Sequence, residues 1–554
     1  MKWMKKNTAL RTVMSTAGVI AAGGVLAIAV AVITAPRAAA QTAAPGTQPA
    51  CSAGTLVQTA DGPVCGVTAN GVTSYLGLRF APQPTRWAAP GPLTPWTAIF
   101  AATVEGSACP QPRAVANPSE DCLNLDVQVP ANRGADLLPV MLEIHGGGFV
   151  VGTAVANGAN LVTNGNVVYV TINYRLGILG FMAHQGLGPN SGDYGLQDQQ
   201  AAMRWVQRNV AQFGGDPGNV TIFGQSAGGA SVCAAVASPT ANGLFQRGIS
   251  QSAFYNYKVN TIWSPGDCKS QLPTEAEAQQ AGATFAAKVG CGGAVDQVGC
   301  LRALPVQTLI DNAGSIGNPT AGGTIGPTIN GTTLPMSPGK AFATGQINKV
   351  GLMIGVDRDE FNGGPIDPPF IAANPAQYDA LVQQQFGPLA SKVMSLYPPS
   401  RFPKPSAFIA YRTIMADSAS VCPALASFKR LAKYIPVHAW EGDNPDVPRV
   451  TTAWPTGSFH VAESPFMFVN PAIALDPNQM AFSAQVIAQW TGYARTGDPT
   501  AEGAPAWSRY TEQSEVVMSL VPAGDSTHVP ASTLAMQHKC EFWDSVSLWP
   551  IPRE

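Results

Sequence analysis

The stretch NVTIFGQSAGGASVCAAVAS (residues 219–238) constrains this chain more than any other. A β-branched apolar run enters Gly224-Gln225-Ser226-Ala227-Gly228, and a run of small residues suited to a helix leaves it. A strand that turns straight into a helix has no room for side chains two positions before and two after the turning residue. Gly224 and Gly228 meet that requirement. Such a turn exposes the Ser226 hydroxyl and aims the positive end of a helix at the reaction centre. With 57 glycines in 554 residues, a lone G-x-S-x-G is a weak signal. The strand before it and the helix after it make Ser226 a candidate nucleophile.

The surrounding pattern agrees. Residues 138–144 (LPVMLEI), 166–174 (NVVYVTINY), 349–356 (KVGLMIGV) and 435–440 (IPVHAW) are near-continuous apolar runs with strand composition. Residues 198–213 place Met203, Val206, Val210 and Phe213 at helical spacing and stop at Gly214-Gly215. Apolar strands alternating with helices imply an α/β fold, with a large, mostly parallel sheet covered by helices on both faces. Such a sheet can grow as one unit, so residues 51–554 are expected to form a single domain. Upstream of the serine, the run 138–144 ends in His145-Gly146-Gly147-Gly148. Successive glycines let backbone N–H groups converge without side chains in the way, as an oxyanion site requires. The expected donors are the N–H groups of Gly147, Gly148 and Ala227.

The N-terminus reads as a separate object. Lys2, Lys5, Lys6 and Arg11 precede an uninterrupted apolar run (17–33), and Ala38-Ala39-Ala40 precedes Gln41. Residues 1–40 therefore read as a secretory signal peptide, and 41–50 as a disordered lead-in. The expected location is secreted or periplasmic, with no stable membrane anchor after cleavage. The leader carries five cations (the four named and Arg37) and no acid, so its loss moves the formal charge from −2 to −7. Only 12% of residues are charged. A weakly charged, mildly acidic chain disfavours a nucleic-acid partner.

Ten cysteines in an exported chain imply disulfides, and none forms a C-x-x-C metal pair. Cys51/Cys65, Cys109/Cys122 and Cys291/Cys300 would close short loops, and Cys422/Cys540 would tie down the C-terminus. Cys233 and Cys268 are left over, and sequence alone does not say whether they pair.

Taken together, YLGLRFAPQP (75–84), SEDCLNLDV (119–127), NYRLGILGF (173–181) and the block 193–217 resemble the type-B carboxylesterase family. That group includes cholinesterases and fungal lipases on the α/β-hydrolase fold. The resemblance spans most of the chain and implies a serine carboxylester hydrolase that needs no metal or organic cofactor. Its acid is a glutamate in a G-x-x-x-D-E block, which falls on Glu360 in IGVDRDEF, with Asp357 and Asp359 as rivals on the same loop. Chain order in this fold is serine, acid, histidine. His145 and His184 precede the serine, His438 lies in an apolar run, and His528 and His538 sit near the tail. The block GSFHVAESPFMF (457–468) resembles the family's histidine block and gives His460. The resemblance also implies the pairs Cys109/Cys122, Cys291/Cys300 and Cys422/Cys540. In cholinesterases the first of these loops carries a tryptophan for the cationic substrate; residues 110–121 hold no aromatic residue, which disfavours choline esters. Phe149, Phe466 and Phe468 are candidates either for pocket walls or for core. The same fold also admits a non-catalytic binding protein, an acyltransferase or an amidase as alternative readings.

Overall fold

The apolar runs expected to be strands lie side by side in one sheet. The computed structural model describes residues 50–546 except 156, 254–257, 260–261, 264–267, 269–271, 314–325, 364–373, 449–453, 469, 471 and 523. Residues 1–40, read as a signal peptide, and residues 41–49 of the expected lead-in lie outside the described residues.

Among the described residues, eleven strands make the sheet. They are β1 (Val67–Ala69), β2 (Val72–Arg79), β3 (Asn124–Pro130), β4 (Leu138–Ile144), β5 (Val168–Ile172), β6 (Gly215–Gln225), β7 (Arg247–Gln251), β8 (Gly351–Asp357), β9 (Val437–Gly442), β10 (Val516–Leu520) and β11 (Thr527–Pro530). Their order in space is β11-β10-β9-β8-β7-β6-β4-β5-β3-β2-β1. The strands from β5 through β10 pair in parallel. The two ends are antiparallel. Six helices cover the faces that matter here: α1 (Ala159–Gly165), α2 (Tyr194–Asn209), α3 (Ala227–Ala237), α4 (Ser406–Ala416), α5 (Cys422–Ala432) and α6 (Pro477–Thr496).

Successive strand residues face opposite sides of a sheet, so a strand covered on both faces is apolar throughout. Leu142, Val170, Ile222 and Ile354 pack on the face covered by α2, α3 and α5. Met141, Tyr169, Phe223, Met353 and Trp440 pack on the opposite face, against α1 and α6. Helix α2 buries Leu196, Met203 and Val206 and tightens into a single turn, Val210–Phe213, that stops at Gly214 with φ 84°. That left-handed glycine is the stop read from the sequence. Helix α6 starts with a reciprocal Asp476/Gln479 capping box and a proline in its first turn.

Five disulfides are present: Cys51–Cys65, Cys109–Cys122, Cys233–Cys268, Cys291–Cys300 and Cys422–Cys540. The pair left undetermined by sequence joins α3, directly after Ser226, to the segment after β7. His438, read as a core residue, sits in β9 at 2% exposure, where burial pushes its ring down to about 4.

Candidate active site

The strand-turn-helix around Ser226 is built as its glycines require. Ser226 has φ 60° and ψ −126°, a strained conformation for a non-glycine residue. A Cβ on Gly224 would stand 2.6 Å from the carbonyl carbon of Gly228, and one on Gly228 would stand 1.9 Å from the Ile144 carbonyl oxygen. Neither position tolerates a side chain. Ser226 N–H donates to the Gln251 carbonyl on the neighbouring strand (2.9 Å), while its own carbonyl accepts from Ala230 N–H (2.9 Å) and starts α3. Ala227 is the first residue of α3, so its N–H has no acceptor within the helix.

The glycine run after β4 lies directly against this turn. A Cβ on Gly146 would sit 2.6 Å from the Gln225 carbonyl and 3.1 Å from Ser226 Cβ. Gly147 and Gly148 adopt φ 110° and 61°, and a Cβ on Gly147 would meet the Val151 carbonyl at 2.0 Å. The loop is braced from below. The His145 ring stacks on Tyr174 at 4.4 Å, and the Tyr174 hydroxyl donates to the His145 carbonyl (2.9 Å). Burial pushes the His145 ring down to about 4, so it stays neutral at neutral pH. The disulfide-closed loop 109–122 joins in: the Gln111 amide both donates to the Gly152 carbonyl (2.7 Å) and accepts from its N–H (3.0 Å).

Strand β8 ends at Asp357, and the turn after it brings Glu360 to His460. Glu360 is fully buried, and its Oε1 lies 2.5 Å from His460 Nδ1. Its Oε2 accepts from Ser252 Oγ (3.1 Å) and from the Asp357 N–H (3.2 Å). His460 N–H donates to the Glu360 carbonyl (3.1 Å), so backbone and side chain both fix the pair. The His460 side chain keeps 24% of its surface exposed. The rival acids do other work. Asp359 accepts from Ser458 N–H (3.2 Å) and from the Asn362 amide (3.1 Å). Asp357 accepts from Ser458 Oγ (3.0 Å).

Four further residues join the site that sequence reasoning did not assign to it. The Gln225 amide nitrogen stands 3.0 Å from both ring nitrogens of His460. Equal distances place it over the ring face rather than on one in-plane bond. Ser252 and Gln251 follow from β7, and Gln251 donates to Glu463 Oε1 (2.7 Å). The Glu463 and Asp357 carboxyls lie close to each other, and burial raises both. No local pattern marks these residues; β7 is needed to bring them together. Phe149 and Phe466 are core residues at 1% and 0% exposure. Phe468 is half-buried and stacks on Phe223.

The carboxylesterase family profile matches residues 53–543. A para-nitrobenzyl esterase of Bacillus subtilis (strain 168) is 33% identical over 498 residues, covering 84% of this chain and 94% of that protein. The human cocaine esterase is 30% identical over 516 residues, covering 85% of this chain and 87% of that protein. Among solved structures, a PNB esterase superposes with a TM-score of 0.72 at 31% identity, covering 88% of this chain and 99% of the other.

Proposed function

The chain belongs to the carboxylesterase family and is a carboxylic-ester hydrolase, and from that premise we propose that it works through a Ser226–His460–Glu360 triad and an acyl-enzyme. Ser226 is the nucleophile. His460 takes its proton as Oγ attacks the ester carbonyl, and Glu360 holds the imidazole tautomer through Nδ1 and offsets the charge that forms. The N–H groups of Gly147, Gly148 and Ala227 receive the oxyanion. His460 then protonates the departing alcohol, and water repeats the sequence on the acyl-enzyme. No cofactor enters any step.

The observation that carries this reading is the 2.5 Å Glu360–His460 contact, which orients the ring from the side away from bulk solvent. The abutment of Gly146 on Ser226 supports the oxyanion assignment. The chain is further proposed to act as one domain (51–554) after loss of a secretory leader. Five disulfides fit an oxidising compartment, and among the described residues no helix is long and apolar enough to cross a membrane. The absence of an aromatic residue from 110–121 favours neutral esters over choline esters. The test is Ser226→Ala in an aryl-ester assay: turnover is expected to fall by about 10⁴-fold or more, and undiminished turnover would overturn the assignment.

A further inference from the structure

Three carboxyl groups converge behind His460, and two of them lie close together. Asp357 is 1% exposed and Glu463 5%, and their carboxyls lie within interaction range of each other. Two ionised carboxylates in that position would repel without water to screen them. The charged groups facing the pair are Glu360, on the same turn as Asp357, and His460, on the turn that carries Glu463. Arg358 points the other way, to Glu441 (2.8 Å) and Asp443 (3.0 Å). Among the described residues, the side-chain donors that meet the pair from neighbouring segments are neutral. Gln251 serves Glu463 Oε1 (2.7 Å), and Ser458 serves Asp357 Oδ1 (3.0 Å). Glu463 Oε2 is buried and takes no donor from a neighbouring amide or hydroxyl. A proton on Asp357 would supply that donor.

Ser252 connects the pair to the reaction. Its hydroxyl lies 3.3 Å from Asp357 Oδ2 and 3.1 Å from Glu360 Oε2, but it has one proton to give. An ionised Asp357 competes for it; a protonated Asp357 leaves it to Glu360. We propose that Asp357 and Glu463 hold one proton between them, and that this singly charged pair is a positioning element that commits the Ser252 hydroxyl to Glu360 and so keeps Glu360 aimed at His460. The proposal rests on the Ser226–His460–Glu360 reading above.

The test compares Asp357→Asn with Asp357→Ala. The amide of Asp357→Asn reproduces the protonated form, with N–H toward Glu463 and a carbonyl for Ser458. For an aryl ester, kcat is expected to fall on the order of 10²-fold in Asp357→Ala with KM nearly unchanged. Asp357→Asn is expected to recover kcat to within about threefold of wild type. The infrared difference between wild type and Asp357→Asn at neutral pH is expected to contain the carbonyl stretch of a protonated carboxylic acid. An Asp357→Asn enzyme as slow as Asp357→Ala, or no acid band, overturns the proposal. Should Asp357→Ala fail to fold, the acid band and the kcat of Asp357→Asn decide. Undiminished turnover in Ser226→Ala would instead break the triad reading, while the infrared band, which needs no turnover, still tests the pair.

Discussion

Two histidine–carboxylate clusters are linked to the turn after β8, and they are wired differently. His538 is 4% exposed; its Nδ1 meets Asp417 at 2.6 Å and its Nε2 meets Glu441 at 2.8 Å. Both ring nitrogens face carboxylates, and those carboxylates raise the ring to about 10 against the pull of burial. It is a fixed cation at neutral pH. Tyr397 adds a hydroxyl to Asp417 (2.7 Å), and the Cys422–Cys540 bridge lies beside it. His460 meets Glu360 through Nδ1 and keeps a quarter of its side chain exposed. A ring clamped on both nitrogens holds charge in place. A ring held by a carboxylate at Nδ1 alone and still a quarter exposed suits proton exchange. Arg358 joins the two: it sits between Asp357 and Asp359 yet pairs with Glu441 of the His538 cluster. The static cluster thus anchors the turn that presents Glu360.

Substitution should separate the two histidines most sharply. His460→Ala is expected to lower kcat by about 10⁴-fold or more with thermal unfolding little changed. His538→Ala removes the buried cation between Asp417 and Glu441 and leaves only Arg358, at Glu441 (2.8 Å), and the more distant Lys539, at Asp417 (3.8 Å). It is expected to cost about 3–5 kcal/mol of stability, with catalysis per folded molecule largely kept. Calorimetry and active-site titration on both variants check this, and a reversed pattern would exchange the assigned roles.

The pH dependence of stability sharpens the contrast. His538 is raised from its ordinary 6.5 to about 10, so its contribution is fully present below pH 6.5 and is lost as pH rises through about 10. In that window wild type should lose stability relative to His538→Gln by about 1.4 kcal/mol per pH unit. Denaturant unfolding across the range reads the slope; parallel curves would mean that His538 is neutral in the folded protein. The smallest expected effect belongs to Gln225. Gln225→Glu puts a carboxylate over the His460 ring, and the acid limb of kcat/KM should move up by roughly one pH unit. An unmoved limb would show that the 225 side chain is uncoupled from His460.

The sequence carried the centre of the fold well and its edges poorly, for a physical reason. Strands buried on both faces, such as Leu138–Ile144 and Val168–Ile172, are nearly continuous apolar runs, broken only by Glu143 and Thr171, and announce themselves. Val67–Ala69 and Thr527–Pro530 are short, partly exposed edge strands with no such pattern. Arg247–Gln251 (RGISQ) hid for another reason: it is a central strand whose polar residues are satisfied only by tertiary partners. The site divides the same way. Ser226, Glu360 and His460 sit in recognisable local blocks, and so do the glycines of the 145–148 run. Gln225, Ser252 and Glu463 take their meaning from contacts between segments more than a hundred residues apart. The Cys233–Cys268 pair likewise follows from β7 lying beside α3.

The central claim is that Ser226 is the nucleophile, and covalent labelling tests it most directly. The protein is incubated with a fluorophosphonate, digested, and the phosphonylated peptide mapped by mass spectrometry while aryl-ester turnover is followed in parallel. The expected result is a single adduct on Ser226 whose extent tracks the loss of turnover and which is absent from Ser226→Ala. An adduct on another residue, or turnover that persists once Ser226 is fully labelled, would contradict it.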